Sequence, residues 1–133
     1  MPNKYKGTFE AEIAGETYTL RPSFDAMIEF EELTGKLAGD ASQELMDGKI
    51  SFKTVVGAIY AGIKGESYNQ NNPHLCPAYR VLGEKMSQDG IQKYAVIASK
   101  FLIYGTIPNE TIEKLENGEL DTESTGDEKK RDE

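Results

Sequence analysis

The sequence predicts an α+β fold, in which an N-terminal β-hairpin over residues 7–21 packs on four to six helices within residues 24–116. Apolar residues alternate with period two before residue 21 and recur at helical spacing after it. Beyond Gly118 the composition changes to Glu, Asp, Ser, Thr and Gly, with Leu120 as the only large apolar residue. We therefore expect one folded domain over residues 1–118 and a disordered acidic tail over residues 119–133.

The predicted hairpin begins with a strand that has one apolar and one acidic face. Its residues alternate in kind: Phe9, Glu10, Ala11, Glu12 and Ile13. Gly15 and Glu16 predict a type II′ turn, because glycine supplies the positive φ needed at the first central position. Two strands alone are marginal in water, so the apolar face must rest on a helix or pair with further strands, from this chain or another subunit.

A helix is predicted from Phe24 to Thr34, with Ser23 as its N-cap and Gly35 as its left-handed C-terminal residue. Glu31 interrupts the apolar side of this helix, where a carboxylate must be paired, hydrogen-bonded or at a rim exposed to water. One interpretation is a local salt bridge, for which Arg21 is a candidate. The other is a contact with a basic group of a partner.

Five further helices follow in the prediction. They are Ala41–Met46, a helix from Phe52 to Lys64 capped by Ser51, Ala78–Ser87, Ile91–Tyr104 with a capping box at Asp89 and Gln92, and Asn109–Glu116. Gly57 and Gly62 suggest a tightly packed neighbour, within the subunit or across an interface. The favoured alternative is that a short core has no room for larger side chains at these positions. The stretch from Glu66 to Pro77 is predicted to be a loop, because it lacks apolar periodicity.

Composition excludes several classes of function. There are 15 basic and 23 acidic residues, net charge −8, so no basic stripe for duplex nucleic acid is present. Cys76 is the only cysteine and His74 the only histidine, which excludes an internal disulfide and a zinc site of nitrogen and sulfur ligands. Neither a signal peptide nor a membrane span is recognisable. We expect a cytoplasmic protein with a protein partner.

Catalysis is not indicated by any motif. His74 and Cys76 are close in sequence, but cysteine catalysis also needs a third group that orients the base and a site that favours the thiolate. Glu29 and Glu32 lie on a solvated helix face, without a pocket to separate their pKa values. We therefore predict no catalytic, cofactor or metal residues.

One block carries a family resemblance. It runs from Tyr5 to Gly35 and includes Leu20-Arg21-Pro22-Ser23-Phe24 leading into Ile28-Glu29-Phe30-Glu31-Glu32-Leu33-Thr34-Gly35. The block resembles the tail assembly chaperones of gene transfer agents and long-tailed bacteriophages (siphophages), which are also described as tail tube-associated. The resemblance extends to about Lys64. The Asn/Gln-rich loop and the acidic tail depart from that family's short, Ala-rich C-terminal half.

The resemblance implies a non-enzymatic role in virion assembly for a phage, a prophage or a gene transfer agent. The protein would hold the tape measure protein soluble and help tail tube protein to polymerise around it in the bacterial host cytoplasm. The alternative is a structural tail tube component. The sequence favours the chaperone, because tube subunits need long sheets that close into rings and this chain offers one clear hairpin.

The most apolar predicted helix, Ile91–Tyr104, has two interpretations. It is either central in the core or exposed as an oligomer interface or partner groove. The second interpretation makes a homo-oligomer an expectation, through this helix or through hairpin edges. Under the second interpretation, the residues expected to contact a helix of the tape measure protein are Tyr94, Ile97, Phe101 and Tyr104. Glu31 is a further candidate for contact with the partner.

Overall fold

The computed structural model describes residues 7–116 and contains one antiparallel hairpin and six helices, which confirms the α+β class. The strands are β1 (Phe9–Ile13) and β2 (Glu16–Leu20). The helices are α1 (Phe24–Thr34), α2 (Ala38–Met46), α3 (Phe52–Gln70), α4 (Tyr79–Asp89), α5 (Ala95–Thr106) and α6 (Asn109–Glu116). Short 3₁₀ turns occupy Pro73–Leu75 and Ile91–Tyr94. The tail predicted over residues 119–133 lies outside the described residues.

The hairpin turn differs from the predicted type. Ile13 pairs with Glu16, so the two-residue loop is Ala14–Gly15, and both residues have positive φ, 52° and 86°. This is the geometry of a type I′ turn, whose twist matches the twist of the flanking strands. The predicted type II′ turn at Gly15–Glu16 is wrong, because Glu16 already belongs to β2. The apolar face of the hairpin rests on a helix, α3.

Helix α1 has the predicted bounds because both of its ends are specified locally. The Ser23 hydroxyl accepts a hydrogen bond from the Ala26 N–H at 3.2 Å. Gly35 has a φ of 74°, and its N–H donates to the Glu31 carbonyl. These two residues satisfy backbone groups that the helix cannot pair internally.

Helix α2 begins at Ala38, three residues before the prediction, and the cause is a long-range cap. The Glu31 carboxylate accepts the Ala38 N–H at 2.9 Å, whereas no side chain of α2's own N-cap residue, Leu37, does so. A donor of the first turn is thus satisfied from α1. The residues around Ala38 contain no local sequence signal for the start of a helix.

Helix α3 continues through the predicted loop as far as Gln70, so the loop prediction over Glu66–Pro77 is wrong at its beginning. Glu66 is buried, with its carboxylate 2.8 Å from the Arg21 Nε and also bonded to the Gln70 side chain. Asn71 ends the helix in the left-handed conformation, with φ 53°. Periodicity does not indicate this extension of α3, because Glu66 and Tyr68 have partners outside the helix, at Arg21 and Glu29.

The region before α5 also corrects the prediction. Asp89 is the last residue of α4 and accepts a hydrogen bond from the Tyr94 hydroxyl at 2.6 Å, so it does not cap a helix at Ile91. A 3₁₀ turn precedes α5, which passes Gly105 and ends at Thr106. Gly105 lies inside the helix, although glycine is unfavourable there. A larger residue does not fit at this position, because a Cβ would overlap with the side chain of Met27 of α1.

The core surrounds α3, and its glycines allow neighbours of the same chain to approach closely. A Cβ at Gly57 would lie 2.6 Å from the Thr34 methyl, and one at Gly62 would lie 2.8 Å from Leu20. The favoured interpretation of these glycines, a core without room for larger side chains, is therefore confirmed, and the neighbours belong to the same chain. Over residues 7–116, no helix combines the length and the hydrophobicity that crossing a bilayer requires.

Candidate functional site

The four aromatic and aliphatic residues predicted to line a partner groove do not share one surface. Tyr94 and Phe101 have no exposed side-chain area and belong to the core. Ile97 and Tyr104 are half-buried. Phe101 points inward together with Ala98 and Leu102, because this side of α5 packs on α2 and α3. A surface groove that contains Tyr94 and Phe101 is therefore wrong for this conformation.

An apolar groove does lie on the other side of α5, and we call it the α5 groove. Its volume is ≈ 520 Å³, and it is bounded by α5, Leu45 of α2 and Leu115 of α6. Val96 is its most exposed apolar side chain, at 78%. The other lining residues are Ala95, Ser99, Lys100, Ile103 and Tyr104.

Lys100, which lines the α5 groove, is held against aromatic rings. The Lys100 Nζ lies 4.6 Å from the centre of the Phe9 ring and 5.4 Å from that of Tyr104. The two rings themselves meet edge to face, with centroids 6.1 Å apart. Cation–π contacts of this kind hold the ammonium group beside the rings, so the groove presents mainly apolar surface to an occupant.

A second exposed apolar surface lies on α1. Phe24 is 78% exposed and Ile28 38% exposed, one turn apart. Beside them runs a row of carboxylates at positions i, i+4 and i+7, namely Asp25, Glu29 and Glu32. We call these five residues the α1 face.

Phe24 and Ile28 are apolar residues of α1 that lie at the surface, so an apolar arc wide enough to include them overestimates the buried side of the helix. Phe30 marks the buried side of α1, since it has no exposed area. With about 100° per residue, Phe24 lies roughly 120° and Ile28 roughly 160° around the helix from Phe30. A narrower arc centred on Phe30 would have placed both residues at the surface.

Glu31 is half-buried and hydrogen-bonded. One of its oxygens caps α2 through the Ala38 N–H, while the Nε of Arg21, its candidate ion-pair partner, bonds Glu66. Glu31 also borders a cleft between α1 and the C-terminal end of α5, which Phe24 and Ile28 line as well. Its role as a partner contact stays a prediction.

The loop residues that catalysis would use are not arranged for it. Cys76 is half-buried, its Sγ lies 3.5 Å from the Pro77 carbonyl, and burial raises the pKa of the thiol to about 11. His74 is exposed, and its backbone N–H donates to the Asn72 side chain. In the part of the chain that the structure describes, no group of three or more His, Cys, Asp or Glu residues is positioned to hold a metal ion.

Both exposed surfaces are open and apolar, which is typical of surfaces that bind other proteins. The α5 groove carries one lysine and one serine, and the α1 face carries carboxylates along one side only. Compared with known proteins, the chain matches no family, no curated protein and no solved structure.

Proposed function

We propose that this protein is a non-enzymatic tail assembly chaperone of a phage or gene transfer agent, which binds the tape measure protein in the host cytoplasm. The observation that carries the proposal is the α5 groove, an exposed apolar concavity on a small acidic domain. The resemblance of residues Tyr5–Lys64 to that family supplies the identity of the partner. The protein would also assist assembly of the tail tube around the tape measure.

In this proposal, a helix of the tape measure protein lays its apolar stripe along α5. Val96 and Ile103 lie two turns apart on α5 and both line the groove, so they can contact residues spaced i and i+7 on an opposing helix. Burial of apolar surface is worth roughly 25 cal/mol per Å², so covering a few hundred Å² favours a reversible complex. Binding should survive moderate salt, because Lys100 is the one charged residue that lines the groove in the described part of the chain.

Co-expression with the cognate tape measure protein tests the proposal. We expect the wild-type chain to keep the tape measure protein in the soluble fraction. Val96→Asp should abolish that effect, because it places a charge in the groove at a residue that is 78% exposed and tolerates substitution. Val81→Asp is the matched control, since Val81 is an exposed valine on α4.

Phe101→Asp is unsuitable for this purpose because Phe101 is fully buried and the substitution would unfold the domain. Circular dichroism of the Val96 and Val81 variants checks that both remain folded. If the wild-type chain fails to keep the tape measure protein soluble, the chaperone function is wrong. If Val81→Asp is as damaging as Val96→Asp, the groove is not the binding surface.

The alternative is a structural tail tube component. Within residues 7–116 the sheet consists of β1 and β2 alone, whereas tube walls need extended sheets, so this alternative requires strands from neighbouring subunits. Mass spectrometry of purified virions separates the two, since an assembly factor is absent from the particle and a tube protein is abundant. Rings or tubes of the isolated protein in electron micrographs would also favour the alternative.

We also propose that the chain forms a homo-oligomer, and the support is the exposed apolar area at the α5 groove together with the two outer edges of a sheet that consists of β1 and β2 over residues 7–116. Sedimentation over a wide concentration range measures this directly. A strict monomer at high concentration would contradict it.

A further inference from the structure

The α1 face combines an apolar ridge with an acidic row, and this combination points to a particular kind of partner. Phe24 and Ile28 form the ridge, and each borders two concave regions. One region is a cleft of ≈ 580 Å³ between α1 and the C-terminal end of α5, where Gly105 and Thr106 form part of the wall. The other lies beside the carboxylates and Tyr68.

The carboxylates of this face are not neutralised by neighbouring side chains. Among the described residues, neither Asp25, Glu29 nor Glu32 has an ion pair within 4.0 Å. Asp25 and Glu29 are one turn apart, a spacing at which like charges destabilise a helix. A cationic occupant would remove this repulsion and gain charge-assisted hydrogen bonds.

Along the row, the Tyr68 hydroxyl donates a hydrogen bond to the Glu29 carboxylate at 2.8 Å. That bond and partial burial raise the pKa of Tyr68 to about 12, so the hydroxyl remains a donor at neutral pH. Lys64 lies near this tyrosine, with Nζ 5.8 Å from the ring centre, and it stacks there rather than pairing with Glu29. The bond from Tyr68 orients Glu29 within the row.

We propose that the α1 face binds a partner helix whose apolar stripe is flanked by lysine or arginine side chains. The apolar stripe covers Phe24 and Ile28 and enters the cleft beside Thr106, while the basic residues meet Asp25, Glu29 and Glu32. The net charge of −8 steers such a cationic segment toward the protein. The inference does not rest on the proposed chaperone function, because it concerns a different surface and a different partner chemistry.

The two surfaces are therefore distinguished by their salt dependence. Binding at the α5 groove is apolar and persists in salt. Binding at the α1 face depends on ion pairs at the surface, which added salt screens over a length of about 8 Å at physiological ionic strength.

The experiment uses the full chain and two synthetic 18-residue helical peptides as probes. Both carry leucine at i, i+3, i+4 and i+7 spacing; the remaining positions are lysine in one peptide and glutamate in the other. Fluorescence anisotropy at low ionic strength measures each dissociation constant. We expect the lysine peptide to bind at least about tenfold more tightly than the glutamate peptide. Added salt should weaken binding of the lysine peptide.

Two variants assign the binding to the α1 face. Phe24→Ser should weaken binding of the lysine peptide by about tenfold, because a large apolar contact is lost. Val81→Ser is its control, since Val81 is an exposed valine on α4 that lines neither the α5 groove nor the α1 face. Removing two charges by Glu29→Gln with Glu32→Gln should weaken binding by about threefold to tenfold. The control for charge alone is Glu10→Gln with Glu12→Gln on the exposed side of the hairpin.

Several outcomes would overturn the inference. One is equal binding of the two peptides, and another is an equal loss in the α1 variants and their controls. Self-association that Phe24→Ser abolishes, with no binding of the lysine peptide, would assign the face to a second copy of this chain instead. Of the six substitution sites, all except Glu29 are exposed, so the folded state is expected to persist, and circular dichroism checks it.

Discussion

At the scale of single residues, Cys76 shows how burial decides chemistry. Its side chain is half-buried near Pro77, and the low-polarity surroundings raise the pKa of the thiol from 9.0 to about 11. The thiolate is the reactive form, so a raised pKa leaves little of it near neutral pH. The cysteine therefore acts as a small apolar packing residue rather than a nucleophile.

This gives a direct prediction for Cys76. Iodoacetamide at pH 8 should alkylate the folded protein roughly 10- to 100-fold more slowly than the chain unfolded in urea. The reason is that the raised pKa lowers the fraction of Cys76 present as the reactive thiolate in the folded state. Mass spectrometry over time measures both rates. Equal rates would show that the thiol is exposed and unperturbed in the folded state.

Tyr94 is a second residue whose environment makes a testable difference. It is fully buried, and its hydroxyl donates to Asp89 at 2.6 Å. Burial, followed by this bond, raises the Tyr94 pKa above its ordinary value of 10.0. The unfolded chain therefore loses the proton first, so the stability that Tyr94 contributes is complete below pH 10.0 and is lost as the pH rises through the folded-state pKa.

Tyr94→Phe should lower the free energy of unfolding by about 1 kcal/mol at neutral pH, because the hydrogen bond is lost. The same variant should show a smaller decline of stability above pH 10 than the wild type. Urea denaturation at neutral and alkaline pH measures both effects. Tyr18 and Tyr68, whose pKa values are also raised, are present in both proteins, so the difference between the proteins reports on Tyr94. If the stability of the variant and of the wild type falls equally above pH 10, Tyr94 does not contribute to the loss of stability at alkaline pH.

At the scale of elements, the joint between β2 and α3 organises the fold. The Arg21 N–H donates to the Gly62 carbonyl at 2.9 Å, and the Arg21 side chain pairs with buried Glu66. Gly62 and Gly65 allow this approach: a Cβ at Gly65 would lie 2.7 Å from the Arg21 carbonyl oxygen. The hairpin is thus held at the end of α3 by backbone contact and by an ion pair.

Two glycine substitutions test that joint. Gly65→Ala should lower the free energy of unfolding by about 1–2 kcal/mol, because overlap with the backbone exceeds the gain in helix propensity. Gly83→Ala on α4 is the matched control, since its Cβ would meet Val56 at an ordinary 3.5 Å. It should raise stability by about 0.5–1 kcal/mol. Chemical denaturation measures both, and a stabilised Gly65→Ala variant would contradict close packing at the joint.

At the scale of the whole molecule, charge is divided unevenly along the chain. From Glu116 to Glu133 there are eight acidic and three basic residues, which account for −5 of the net charge of −8. Composition alone indicates that this segment cannot bury enough apolar surface to offset its ordering entropy. The folded domain should therefore be independent of it.

Truncation after Gly118 should leave the melting temperature nearly unchanged, because no large apolar residue except Leu120 is removed. Truncation after Pro108 is the comparison, since it also removes α6, whose Ile112 is only 1% exposed. That change should lower the melting temperature by several degrees. A drop of many degrees on removing residues 119–133 alone would mean that the tail docks on the domain.

The elements that could be predicted are those whose causes are local. Ser23 and Gly35 bound α1, Ser51 caps α3 by accepting the Thr54 N–H, and alternating residues form β1. Each of these signals acts within a few residues, through a cap, a positive φ or a period of two. The fold class therefore followed from the sequence.

What depended on tertiary structure involves partners that are distant along the chain. Glu31 sets the start of α2, and Arg21 with Glu66 supports the last turns of α3. The candidate surfaces were decided in the same way, because periodicity marks which residues of a helix are apolar but not which side the neighbouring helices cover. Packing buried Phe101 and left Phe24 and Val96 exposed, since burial is a property of the assembled layers and not of a single helix.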